Sequence, residues 1–376
     1  MEGAEVLYFD PPVTWLAPLA DKTAKDRLTA WRKPPFKPTK SVTVFSVPPV
    51  LPFYNRFRWI NRFNQARLAR YVGKIMANMG FDFPVLWVYS PMYADIVPKL
   101  SKSSLVYDCV DRHSAYKGQI NPAVVDKMEE DLAKACESVF CTAKGLYERL
   151  VKFNPKTFLI PNGVDFDRFN AVCTKKLTVP DDMINIPKPV LGFVGVLRNW
   201  VDTSVIEYAA RSRPDWSVVL IGPEGDADLS GLKTLKNVHF LGAKPNDTLP
   251  AYISSFDIAL NAFVKSDLSK DVSPLKFYEY LATGKPVVST GQPLQVLSYA
   301  DCVYIAEDAK GYLTACEEAL AETGEERRNL RIAGAKAASW DGRVAEIVKI
   351  CIQNGIFYNS PAGNRVHPAV KIKEDI

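Results

Sequence analysis

Short β-rich runs alternate with longer helical stretches along most of the 376 residues, and that alternation leaves few folds open. Successive strands joined through helices pair in parallel, because each connection must cross back over the sheet. Parallel sheets covered by helices are therefore expected. In the first half the strand candidates are residues 5–9, 42–47, 85–89, 105–108, 138–142 and 157–160, with helices over 59–78, 123–135 and 144–153. In the second half strands fall at 190–196, 217–221, 238–241, 258–262, 287–290 and 303–305. Helices over 204–212, 249–254, 274–283, 312–322 and 325–337 lie between them.

Length and composition set the outer bounds. A chain of 376 residues with 47% apolar and 24% charged content can bury two substantial cores. No apolar run approaches the ~18 residues of a spanning helix, and no basic-then-apolar leader opens the sequence. Seven cysteines without a C-x-x-C pair fit reduced thiols and a cytoplasmic setting. Three histidines make a histidine-rich metal site an unsuitable reading. The net charge of +5 is uneven: residues 1–120 carry 17 Lys/Arg against 9 Asp/Glu, a balance of +8, which leaves −3 for the remainder. An anionic partner for the first half is one reading of that asymmetry.

The organisation expected from these patterns is a first domain over 1–165, a linker over 166–189 and a second domain over 190–340. The linker reading rests on weak periodicity and on Pro180, Pro187 and Pro189. An amphipathic helix over 341–358 would return towards the first domain, and 359–376 reads as a loose polar tail. Residues 1–10 read as the end of a helix entering a second strand, so the first domain is expected to lack its opening strand and helix.

The segment Asp271-Val-Ser-Pro-Leu-Lys-Phe-Tyr-Glu279-Tyr-Leu-Ala-Thr-Gly284-Lys-Pro286 carries the most chemistry. Ser273 before Pro274 reads as a helix N-cap with proline at the first helical position. The amides of Leu275 and Lys276 would then lie free beside a lysine side chain. Free N–H groups, the positive end of a helix dipole and an ammonium suit a phosphate. Asp271 and Glu279 bracket the site and suit hydroxyl groups. The alternative for each residue alone is an ordinary helix with a solvated Glu279; the combined spacing favours a sugar nucleotide.

This segment resembles the Glu-x7-Glu signature of retaining glycosyltransferases with the GT-B fold, family four in particular, with Asp271 in the first position. The run Ser-Pro-Leu-Lys-Phe-Tyr-Glu-Tyr-Leu-Ala-Thr-Gly-Lys-Pro-Val-Val is similar to a bacterial subgroup tied to cell-surface polysaccharides. Pro161-Asn162-Gly163-Val164-Asp165 with Phe169 resembles the family's hinge motif. The resemblance implies two Rossmann-like domains facing a cleft, retention of configuration and no metal requirement. It implies donor contacts from Gly195 and Arg198 after one strand, Gly222 and Pro223 after the next, and Lys244 in the turn that reads the base. Asp202 stands about where the family has a lysine, and Lys276 could supply that cation. Ser273, Leu275, Lys276 and Glu279 would hold the donor, with Asp271 on the transferred sugar. Asp111 and His113 end a strand in the first half, where the family has groups that face the sugar; a charged loop is the alternative. The pairs Asp165/Asp167 and Asp226/Asp228 read as turn residues rather than metal ligands. No cofactor is expected beyond the nucleotide-sugar donor, and the acceptor would be a saccharide or a lipid-linked sugar.

Residues 53–79 interleave Phe53, Phe57, Trp59, Ile60 and Phe63 with Arg56, Arg58, Arg62, Arg67, Arg70 and Lys74. Such a helix suits peripheral contact with an anionic membrane surface. Leu68, Tyr71, Val72 and Ile75 at helical spacing suit packing on a sheet with the arginines merely solvated. Nucleic acid is not an expected partner. Sugar transfer from a nucleoside diphosphate to an acceptor hydroxyl is the function these readings favour, with a GT-B-shaped binding or scaffolding protein of a polysaccharide assembly as the alternative.

Overall fold

A computed structural model describes residues 5–20, 24–116, 118, 120–175, 177–357 and 369–372. They divide into two compact units, Met1–Ile160 with Glu346–Ile376, and Pro161–Ala345. Strands β1 (Val6–Phe9), β2 (Phe36–Thr39), β3 (Val42–Phe45), β4 (Val85–Val88), β5 (Ser104–Cys109), β6 (Ser138–Cys141) and β7 (Thr157–Leu159) belong to the first unit. Strands β8 (Val190–Val194), β9 (Ser217–Ile221), β10 (Val238–Gly242), β11 (Ile258–Asn261), β12 (Val287–Thr290) and β13 (Tyr304–Ala306) belong to the second, and β14 (Ala369–Ile372) returns to the first.

The first sheet has the order β2-β3-β1-β14-β4-β5-β6-β7, parallel throughout except for the antiparallel edge pair β2–β3. Every residue of β4 and β6 is buried, as a parallel sheet covered on both faces requires. The long helix Arg58–Asn78 lays Leu68, Val72 and Met76 on this core. Its first turns bury Asn61, Asn64 and Gln65 beside Ile60. Asn64 matches both polar groups of Leu51, donating from Nδ2 to the carbonyl at 2.9 Å and accepting the amide at 3.0 Å.

Two expectations are corrected here. Residues 369–372 are not a loose tail, because β14 pairs in parallel with β1 on one side and β4 on the other. That position lies between the strands flanking it as a first strand would in a doubly wound sheet. Residues 359–368 and 373–376 of the expected tail, and residue 358 of the expected last helix, lie outside the described residues. The expected linker 166–189 also contains a helix, Phe166–Thr174, capped by Asp165 and anchored by buried Phe169. Its apolar spacing is too short to stand out against three nearby prolines. The last helix, Trp340–Gln353, stops short of residue 358, and Cys351, Ile356 and Phe357 pack with Val85 and Phe140 of the first unit's sheet.

The second sheet is wholly parallel in the order β10-β9-β8-β11-β12-β13. Renumbered within the unit this is 3-2-1-4-5-6, the doubly wound order, with its reversal between β8 and β11. All residues of β8, β9, β11 and β12 are buried. Gly192 in β8 is required by packing, since a Cβ there would sit 2.2 Å from the ring of buried Phe256. Replacing Gly192 by alanine should cost about 1–3 kcal/mol and lower the thermal unfolding midpoint by several degrees. An unchanged midpoint would contradict that packing.

Candidate functional site

In a doubly wound sheet ligands bind beyond the carboxyl ends of the strands at the reversal, here the loops after β8 and β11. The loops after β8, β9 and β10 are drawn tightly together. The Gly222 amide donates to the Gly242 carbonyl at 2.9 Å, and the Leu197 amide donates to the Pro223 carbonyl at 3.0 Å. Gly222 has φ +144°, and a Cβ there would lie 1.9 Å from the carbonyl oxygen of Gly195. Only glycine permits this approach. Gly195, Gly222 and Pro223 thus shape one backbone floor.

Arg198 at the mouth of β8 is exposed, with its guanidinium 5.4 Å from the Trp200 ring. Asp202 caps the helix Thr203–Ser212, accepting from the amides of Ser204 at 3.2 Å and Val205 at 3.4 Å. A residue with that task leaves no cation at its position. Asp226 is held by Asn199, and Asp228 caps the turn at Ser230. Among the described residues no group of three or more His, Cys, Asp or Glu is arranged to hold a metal ion.

The segment 271–286 folds as a 3-10 turn, Ser269–Asp271, followed by an eight-residue helix, Leu275–Ala282. The expected cap is corrected: Pro274 is the N-cap residue and no side chain caps the helix. Ser273 is instead held from two directions by Asn162. The Asn162 amide donates to Ser273 Oγ at 3.0 Å, and Asn162 Nδ2 donates to the Ser273 carbonyl at 2.7 Å. Behind the first turn, Phe277, Tyr278, Tyr280 and Leu281 are buried. Tyr280 also accepts the amide of Val194 at 2.8 Å, tying the helix to the end of β8. The helix is therefore fixed by its packing, and its amino end is left without a side-chain cap.

Lys276 and Glu279 form an ion pair at that end, with Nζ to carboxylate distances of 2.8 and 3.0 Å. Burial raises the pKa of Glu279 above the ordinary glutamate range, although Lys276 and the nearby Arg168 both favour its ionised form. Leu275 is exposed, while Asp271 is only 6% exposed. The Arg168 guanidinium donates to the carbonyl of Asn246, in the loop after β10. Lys244 in that same loop is engaged within the protein: it pairs with Asp182 at 2.6 Å and lies 5.4 Å from the Tyr252 ring.

Sequence reasoning missed Asn162, Arg168 and Tyr280. The motif Pro161-Asn162-Gly163 reads locally as a turn, and nothing in its spacing announces a partner 111 residues away. Asp111 and His113 lie in the first unit, after β5. The Tyr116 hydroxyl donates to Asp111 at 2.9 Å, and the His113 ring stands edge-on to Tyr116 at 5.7 Å. His113 Nε2 lies 3.2 Å from the Tyr89 carbonyl, which can only accept, so the ring donates there.

Residues 188–323 match the family model described as Glycosyl transferases group 1. Over 290 residues, 70% of each chain, the protein is 29% identical to TuaH of Bacillus subtilis (strain 168), which carries the name of a teichuronic acid biosynthesis glycosyltransferase. Sucrose-phosphate synthase from Thermosynechococcus elongatus superposes with a TM-score of 0.67 at 13% identity, over 94% of this chain and 99% of that one. The E. coli trehalose-6-phosphate protein bound with UDP-2-fluoro glucose gives 0.66 at 12%, over 92% and 99%. Anabaena Alr3699/HepE in complex with UDP gives 0.63 at 14%, over 93% and 100%. The likeness to the group 1 glycosyl transferases thus lies in residues 188–323, and the chain has the GT-B fold.

Proposed function

We propose that the protein moves a hexose from a nucleoside-diphosphate sugar to an acceptor hydroxyl, with retention of configuration, in the making of a cell-surface polysaccharide or glycolipid. The observation that carries this is the uncapped amino end of the Leu275–Ala282 helix beside the Lys276–Glu279 pair. The diphosphate would take the amides of Leu275 and Lys276, and Lys276 and exposed Arg198 would add positive charge. Charge that grows on the leaving oxygen as the sugar C1–O bond breaks is stabilised by donors fixed in advance. The acceptor oxygen then bonds to C1 on the same face, and its proton passes to the departing phosphate. Glu279 would accept from the ribose hydroxyls, and Asp271 from hydroxyls of the transferred sugar. No cofactor is invoked beyond the donor, and helix amides and cations stand where other transferases use a metal. The bacterial polysaccharide setting rests on the likeness to TuaH.

The acceptor side is proposed to rest on an anionic membrane surface at the cytoplasmic face. Along the Arg58–Asn78 helix the face opposite the core exposes Trp59 at 67% and Phe63 at 51%. Arg62, Arg67, Arg70 and Lys74 are exposed on the same helix. Aromatic rings among cations complement anionic headgroups over an acyl boundary. No helix among the described residues is long and apolar enough to cross a membrane.

Three outcomes follow. Titrated calorimetrically with UDP, GDP and ADP in a chelator, the protein should bind at least one nucleotide, and Glu279→Ala should weaken that binding about tenfold or more, as loss of hydrogen bonds to a charged group does. Absence of binding to all three would return the protein to the scaffolding reading. Because burial raises the folded-state pKa of Glu279, its ionised form is lost on acidification earlier than for an ordinary glutamate near ~4.3. Nucleotide affinity should thus fall as pH drops through a window above that value, and Glu279→Gln should flatten the profile. The same shift means that protonated Glu279 adds stability at low pH, lost as pH rises through the folded-state pKa. Finally, flotation with vesicles containing phosphatidylglycerol should recover the protein, and the double change Trp59→Ala, Phe63→Ala should release it; equal recovery by neutral vesicles would oppose the membrane reading.

A further inference from the structure

The second unit contains a cavity of about 760 Å³ that the donor site leaves unused. Its wall includes Thr283, Gly284, Lys285 and Pro286, which follow the carboxyl end of the Leu275–Ala282 helix, and Val190 at the start of β8. It is therefore at the amino edge of the parallel sheet, whereas the donor residues lie at the opposite edge. An eight-residue helix rises about 12 Å, so the helix itself separates the two places. A volume of this size suits a small organic ligand.

The wall has two characters. One side is apolar, with Met183, Ile184 and Ile186 facing the space together with Leu177. The other brings in four cations, Lys175, Lys188, Lys285 and Arg328. Two of these are accounted for within the protein. Lys188 donates to the Ser255 carbonyl at 2.6 Å and pairs with Asp257 at 2.9 Å, and Arg328 pairs with Glu325 at 2.7 Å. The acid on the wall, Glu322, is taken by buried Arg331 and by the Tyr304 hydroxyl. Lys285 is half-buried, and its ammonium makes no hydrogen bond or ion pair among the described residues. Burial first, and then the neighbouring Lys188, push its pKa down against the opposing pull of Asp257, and an anion in the cavity would favour the charged ammonium.

We propose that this cavity binds an amphipathic anion, an apolar chain ended by one phosphate or carboxylate, with the head group on Lys285 and the chain along Met183, Ile184 and Ile186. The site is separate from the donor site, and the inference stands whether or not the chain transfers a sugar. A phospholipid-like and a fatty-acid-like source share this chemistry, and two probes distinguish them.

Calorimetric titration of the full chain with dodecyl phosphate and with dodecanoate, both below their micellar concentrations, tests the site. At least one should bind, the preferred head group identifying the source, while dodecyl maltoside and inorganic phosphate alone should bind at least tenfold more weakly. Lys285→Met should weaken the preferred probe tenfold or more, Lys285→Arg should largely retain it, and Ile186→Asp should weaken it as well. Circular dichroism and the thermal midpoint establish that each variant is folded; should Lys285→Met fail to fold, the Lys285→Arg and Ile186→Asp pair decides. Binding of dodecyl maltoside as strong as that of the anions, no binding of either anion, or equal binding by folded native and folded variants at Lys285 and Ile186 would overturn the proposal.

Discussion

The hold that Asn162 exerts on Ser273 decides what the amino end of the Leu275–Ala282 helix can do. A serine before a proline would ordinarily turn its hydroxyl onto the first-turn amides. Here that hydroxyl and the adjoining carbonyl are occupied by Asn162 at 3.0 and 2.7 Å, and the helix begins without a side-chain cap. The helix dipole alone offers an anion only about 0.3–1 kcal/mol. Charge-assisted hydrogen bonds, at about 1.5–3 kcal/mol each, are the larger effect. For the proposed diphosphate, fixed amides together with Lys276 would therefore supply most of the hold, and the dipole would add to them.

Rigidity behind the site comes from packing. Phe277, Tyr278 and Tyr280 are buried together, and Tyr280 ties the helix to Val194 at the end of β8. Gly222 lets the loops after β8 and β9 meet at backbone distance. The sheet order puts both features at the same carboxyl edge, beside the reversal between β8 and β11. A neighbouring acid, Glu279, is buried enough that its charge is costly until Lys276 or a bound hydroxyl satisfies it.

Much of this was legible in the sequence. The strands of the second sheet announce themselves as unbroken apolar runs, since both faces are covered, and β9 and β12 fall on the expected residues 217–221 and 287–290. The helix of Lys276 and Glu279 was legible because proline and glycine punctuate its two ends. What remained hidden was long-range. The Asn162–Ser273 contact joins residues 111 apart, and Arg168 nears Glu279 from a helix inside a segment that reads as a linker. Asp202 reads as a substituted phosphate ligand but serves as a local cap, a role short polar side chains fill readily. Strand β14 was missed because four residues in a polar tail carry no periodic signal, and their place in the sheet depends on partners more than 280 residues earlier.

A crystal structure of the protein with UDP or its preferred nucleoside diphosphate bound would test the central claim most directly. The account predicts the terminal phosphate on the amides of Leu275 and Lys276, with the ribose hydroxyls against Glu279 and Asn162 still bonded to Ser273. A diphosphate seated elsewhere, or Ser273 released to close the helix end, would contradict it.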